Sequence, residues 1–182
     1  MWKLNANWTF GILLAFAALL ANPLQAQEPI HPEKRLEELG IELRPPRASV
    51  NNYVPAVRTG NLVYTSGNIP FKADGTIIRG KLGTDLSLEE GREAAREVGI
   101  NLLSVLQHEL GDLGKVKRIV KVLGMVNCTA DFEQQPAVMN AFSDLMVEVF
   151  GERGRHARSA VGMNALPLNA AVEIEMIVEV ED

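Results

Sequence analysis

The sequence predicts a single α+β domain in which a mixed sheet carries two long helices on one face. Three observations predict it. Stretches 87–110 and 131–151 set apolar residues at helical spacing. β-branched runs lie between and around them, and the last, 171–180, alternates apolar and acidic residues. The elements also follow the order ββ(β)αβαββ, which suits helices packed against one side of a sheet.

Each element has a local cause. Residues 1–26 read as a secretory leader: Lys3 is the only charge before Glu28, an apolar run spans 10–21, and Asn22-Pro23 breaks it before Leu24-Gln25-Ala26. The run is shorter than the roughly 20 apolar residues of a comfortable membrane span, although Leu24 leaves an uncleaved anchor as the rival. Export, most simply to a bacterial periplasm, follows from the first reading, with no stable membrane span after cleavage. Residues 27–50 form an N-terminal extension. Within it Pro32 opens a short helix, acids fill its first turn and Gly40 closes it. Arg44-Pro45-Pro46-Arg47 is then extended, since proline disfavours helix in the residue before it. The remaining domain spans 51–182.

Runs 53–58 and 62–66, around Thr59-Gly60-Asn61, give a hairpin. Residues 69–84 are turn-rich, with a short strand expected at 76–78. Ser87-Leu88-Glu89-Glu90 is a capping box, and Gly111 should end the helix it opens. Residues 116–128 are β-branched and interrupted by Gly124, which predicts a strand with a bulge there. Pro136 falls in the first turn of the second long helix, and 159–163 and 171–180 complete the strands. With both helices on one face, apolar residues expected on the other, such as Val57, Ile119 and Ile177, need cover. A closed ring of subunits would supply it.

The full chain has 18 basic and 23 acidic residues, and loss of Lys3 with the leader shifts the net charge from −5 to −6. That balance disfavours a nucleic-acid groove, which needs a basic stripe. The single cysteine, Cys128, forms no disulfide within the chain and reads as a small buried hydrophobe. Three scattered histidines give no metal constellation, and Gly80-Lys81-Leu82-Gly83 lacks phosphate-loop spacing, so no metal or other cofactor is expected. His156 and His108 read as surface residues.

The chemistry concentrates near the C-terminus, in Arg155-His156-Ala157-Arg158-Ser159-Ala160-Val161-Gly162, Leu166-Pro167 and Val172-Glu173-Ile174-Glu175. Arg158 offers a planar fork suited to a carboxylate. Glu173, if brought close, could hold and activate a water. The plainer reading of an isolated pair is a structural salt bridge.

Two signatures resemble a known family. Tyr53-Val54-Pro55-Ala56-Val57-Arg58-Thr59-Gly60-Asn61 with Thr65-Ser66-Gly67-Asn68-Ile69-Pro70 resembles the N-terminal signature of the Rid (YjgF-type) family, also known as endoribonuclease L-PSP. Ala157-Arg158-Ser159, Leu166-Pro167 and Val172-Glu173-Ile174-Glu175 resemble its C-terminal one. The preceding helix and the long 74–86 region resemble a longer, chorismate-mutase-like branch. The resemblance implies a homotrimer with ligand clefts between subunits and hydrolytic deamination of reactive 2-enamine or 2-imine acids to 2-keto acids and ammonia. By the same resemblance Arg158 grips the substrate carboxylate, Glu173 handles water, Tyr53 closes the cleft, Ser66 and Gly67 floor it, and Asn140 lies near the ligand. Without it, Tyr53 is an amphipathic strand residue, Ser66-Gly67 a tight strand end and Asn140 a solvated helix position. Ala160 and His156 depart from the family pattern, which often has cysteine and proline there, and bear on substrate choice and rate. The alternative function is a small-metabolite (keto acid) binding protein of the same fold without turnover. A ribonuclease follows only from the family label.

Overall fold

A computed structural model describes residues 30–47 and 52–181. The expected leader, and the boundary between extension and domain at residue 51, lie outside those residues. Five strands form one sheet in the order β1-β2-β5-β3-β4: β1 Ala56–Thr59, β2 Leu62–Thr65, β3 Val116–Asn127, β4 Ala157–Met163 and β5 Val172–Val180. All neighbours are antiparallel except β3 and β4. That parallel pair requires a crossover, which α3 (Gln135–Phe150) provides. No helix among the described residues is long and apolar enough to cross a membrane.

The second helix, α2 (Leu88–Leu110), begins and ends where its capping residues dictate. The Ser87 hydroxyl accepts from the Glu90 amide, Glu90 accepts in return from the Ser87 amide, and Gly111 takes the left-handed conformation at φ 73°. By contrast α3 starts at Gln135, four residues later than the apolar pattern suggests. Pro136 is tolerated in the first turn because its missing N–H would be unpaired there anyway. The short α1 (Pro32–Glu38) docks on the rest of the fold: Arg35 Nε donates to the Glu148 carbonyl at 3.1 Å, and Glu33 accepts from the Leu113 amide at 2.8 Å.

Both long helices cover one sheet face, as expected. Val172, Ile174, Met176, Val178 and Val180 of β5 point into that core with Leu102, Leu106, Phe142, Leu145 and Met146 from the helices. Glu173, Glu175, Ile177 and Glu179 lie on the other face by strand alternation.

Two expectations for β3 are corrected. Ile119 is fully buried under the helices, opposite Val178, and is not on the open face. The register slips twice, between Val116 and Arg118 and between Ile119 and Lys121. Each slip reverses the parity of the strand, so Val116, Ile119 and Val122 all face inward at a spacing of three. No slip occurs at Gly124. A Cβ there would overlap the Met139 thioether, so this glycine lets α3 approach the sheet. Val57, 55 % exposed, and Tyr64, 43 % exposed, leave the β1–β2 end of the sheet apolar and bare.

Candidate functional site

The candidate residues fall into two groups, and the sheet separates them. The first is built where β2 ends. The Ser66 amide donates to Pro55 O at 2.8 Å, and its hydroxyl donates to Val54 O at 2.7 Å. Asn68 then exchanges two backbone hydrogen bonds with Ile174, both 2.9 Å. Those bonds lay Gly67 against Glu173. A Cβ on Gly67 would overlap Glu173 Oε1, so a glycine is needed for the carboxylate to sit there.

Around this contact opens a cleft of about 630 Å³ that includes Tyr53, Ser66, Gly67 and Glu173. Residues whose roles the sequence did not suggest complete it. Asn101, on α2, donates to the carbonyls of Ile69 at 3.3 Å and Phe71 at 3.1 Å, tying the loop to the helix. Arg44 pairs with Glu97 and donates to Asn101 Oδ1 at 3.2 Å. The Arg47 guanidinium stacks 4.0 Å above the Phe71 ring, a cation–π contact. Leu168 forms an apolar lip, 60 % exposed. It and Asn169 both adopt φ 56°, uncommon for residues other than glycine. Asn169 O accepts from the Gly80 amide at 2.9 Å, and Asn169 Oδ1 from Asn127 Nδ2 at 3.0 Å, holding that turn.

Glu173 is half-buried. Desolvation pushes its carboxyl above the usual glutamate range, and the like charge of Glu175 adds to the effect. Among the described residues its carboxylate accepts no hydrogen bond. A desolvated carboxylate without a partner is a stronger base than an exposed one, and it has lone pairs free for a water.

The second group is Arg158 and Asn140. Arg158 aligns with Val122, which aligns in turn with Met176. Both neighbours are buried under the helices, so Arg158 emerges on the helix face, at the edge strand β4. Glu173 aligns with Met125 and, across it, Val161, on the opposite face. Within one chain the two residues therefore form no salt bridge. Arg158 instead donates to three acceptors on α3: Ser143 Oγ at 3.0 Å, Asn140 Oδ1 at 3.1 Å and Pro136 O at 3.3 Å. Pro136, Asn140 and Ser143 follow at i, i+4 and i+7, one face of the helix. Asn140 is thus a partner of the arginine, not only a solvated polar position.

His156 is also more than a surface residue. It is half-buried, its Nδ1 lies 2.7 Å from Gly154 O, and its Nε2 lies 3.0 Å from Ser143 Oγ. Burial, and the charge of Arg158, hold its pKa below the usual histidine value. Only its place two residues before Arg158 hinted at this in the sequence. Among the described residues no group of three or more His, Cys, Asp or Glu is placed to hold a metal ion.

A mixed five-stranded sheet covered by two helices on one face, with a Ser-Gly strand end set against a glutamate, defines a small α+β domain of chorismate-mutase-like architecture. The chain belongs to the family whose model is described as "YjgF/chorismate_mutase-like, putative endoribonuclease", which matches residues 33–180. It is 43 % identical over 148 residues to Protein TCP17 of Trypanosoma cruzi, covering 81 % of this chain and 92 % of that one. It is 32 % identical over 133 residues to a 2-iminobutanoate/2-iminopropanoate deaminase of Dermatophagoides farinae, covering 72 % and 88 %. Among solved structures it resembles Atu1372 of Agrobacterium tumefaciens, a protein of unknown function, with 42 % identity, 82 % and 94 % coverage and a TM-score of 0.76.

Proposed function

We propose that this protein hydrolyses reactive 2-enamine or 2-imine acids to 2-keto acids and ammonia, in clefts completed between the subunits of a homotrimer. The observation that carries the reading is Glu173: a half-buried carboxylate without a hydrogen-bond partner among the described residues, seated against a required glycine in a cleft large enough for a small acid. The deaminase relative, similar over most of both chains, supports the reaction class.

The chemistry asks little of the protein. Arg158 of a neighbouring subunit holds the substrate carboxylate with the donors α3 leaves free. Glu173, with Ser66 or a backbone carbonyl, orients a water and takes its proton as the oxygen adds to the imine carbon. Glu173 returns that proton to the nitrogen, giving the carbinolamine. It then takes the hydroxyl proton and passes it to the amine as the C–N bond breaks, so that ammonia leaves, the C=O of the keto acid forms and the carboxylate is regenerated. Such imines also hydrolyse in water, so positioning that lowers the barrier by a few kcal/mol, roughly, is enough. The bare apolar β1–β2 end of the sheet, with Val57 and Tyr64, supports a further subunit covering it.

The test supplies imine continuously from an amino-acid oxidase and follows its loss. Protein lacking residues 1–26 should accelerate that loss, and Arg158→Ala should abolish the acceleration. Keto-acid binding that depends on Arg158 but comes without turnover on any imine would replace the enzyme by a binding protein. Absence of both would end the proposal.

A further inference from the structure

We propose that His156, acting through Ser143, is a positioning residue that locks the Arg158 guanidinium into one orientation for an anionic ligand. This rests on the reading of Arg158 as the carboxylate clamp.

The direction of each hydrogen bond follows from what each atom can do. Gly154 O only accepts, so His156 Nδ1 must carry a proton, at 2.7 Å. In the neutral ring Nε2 then has only a lone pair, and the contact at 3.0 Å must be donated by the Ser143 hydroxyl. That commits the serine proton to the histidine and turns the remaining oxygen lone pairs toward Arg158 Nη1, 3.0 Å away. The chain of donors runs one way, from Arg158 through Ser143 and His156 to Gly154. Burial and the Arg158 charge favour the neutral ring that this order requires. Phe142 packs edge-on to the imidazole, its ring centroid 6.2 Å away, and restricts its tilt. Gly154 has no room for a side chain, because a Cβ would run into the Met146 carbonyl on α3. The backbone oxygen that orients the ring is thereby fixed to the same helix that carries Ser143 and Asn140.

The consequence is selective. Without the histidine acceptor, the Ser143 hydroxyl proton is free to rotate into the position of the arginine contact. Arg158 keeps its charge and its bonds to Asn140 and Pro136, but one of the three contacts that fix the plane of its fork is lost. A planar, two-pronged ligand group senses that loss more than a point charge does.

The test compares His156→Phe, which keeps the ring contact and removes the acceptor, with His156→Gln, whose amide oxygen can accept from Ser143. Affinity for 2-oxobutanoate is measured by calorimetry, and imine turnover is measured in parallel. His156→Phe should weaken affinity about tenfold and raise KM with little change in kcat, the scale of one weakened charge-assisted hydrogen bond. His156→Gln should recover most of it, and adding Ser143→Ala to His156→Phe should cost nothing further. Side-chain NMR of ligand-free protein gives an independent readout: the Arg158 Nε–H should be ordered in wild type and the Gln variant, and averaged in the Phe variant. Equal order and equal affinity in the Phe variant, with Arg158→Ala still abolishing binding, would overturn the positioning role alone. Unchanged affinity in Arg158→Ala would overturn the clamp itself, and the NMR comparison would still decide what His156 does.

Discussion

Glu173 and Arg158 sit in opposite kinds of surroundings. The glutamate is desolvated by its neighbours, accepts no hydrogen bond among the described residues, and faces a cleft. The arginine stands at a sheet edge and is held by three acceptors from one helix, the nearest steadied by a histidine. One group is left unsatisfied and the other is tightly supported. A base gains reactivity from lacking partners. A clamp gains selectivity from being fixed before its ligand arrives. The sheet between them explains why the chain can tune each without disturbing the other.

The largest expected effect tests whether the two halves belong to one site. Arg158→Ala and Glu173→Gln should each be inactive alone. Unfolded together and reassembled in equal amounts, they should recover about one quarter of wild-type activity, because clefts pairing an intact Glu173 with an intact neighbouring Arg158 form by random assortment in a ring. No recovery, in a mixture that refolds to full-size oligomers, would break the two-subunit site.

Gly67→Ala should come next. Its Cβ would take the space of Glu173 Oε1, so the carboxylate must swing away. Turnover should fall about 10²-fold, the cost of misplacing a catalytic group by an ångström or so. Keto-acid affinity should fall far less if Arg158 supplies most of the grip. Equal losses in turnover and affinity would erase the contrast between the two regions.

The smallest effect concerns stability. Because burial raises the Glu173 pKa, the folded chain holds this proton more tightly than the unfolded chain does. Between the ordinary glutamate pKa and the raised value the folded state binds more protons, so Glu173's contribution to stability declines as pH climbs through that window. Above it the residue is a net cost. Glu173→Gln should therefore stabilise the fold slightly at pH 7, by less than about 1 kcal/mol given its solvent exposure, raising the thermal midpoint, and lose that advantage near pH 4. Thermal scans at the two pH values check this. A destabilised Gln variant at pH 7 would mean the carboxylate has a stabilising partner in the assembly.

Much of the fold was legible because its signals are local. Ser87, Glu90 and Gly111 delimit α2 by capping chemistry that involves only neighbouring residues. The alternation along β5 gives its buried face directly. Ile119 was misassigned because strand parity is a long-range property: two register slips, invisible to a count of twos, turn it inward. Gly124 was misread for a related reason, since its cause is Met139 on another element. The candidate residues were legible by motif, but their distribution over two sheet faces was not. A linear sequence does not state which face of which strand meets which helix, and the roles of Asn101, Arg47 and His156 depend on it.

The turn at Leu168 and Asn169 carries a consequence for adapting this protein. A left-handed backbone costs an L-residue roughly 1–2 kcal/mol relative to the right-handed form. Asn169 is of a residue type that tolerates this conformation. At Leu168 glycine would relieve that cost, yet the chain keeps a large exposed leucine at the mouth of the cleft. Its backbone path is held by Gly80 and Asn127 through Asn169, not by the leucine side chain. Shape and chemistry are thus assigned to different residues here, so residue 168 can be exchanged among unbranched and aromatic side chains with the loop still following the same course. That makes it a natural position at which to retune which side chains the cleft admits.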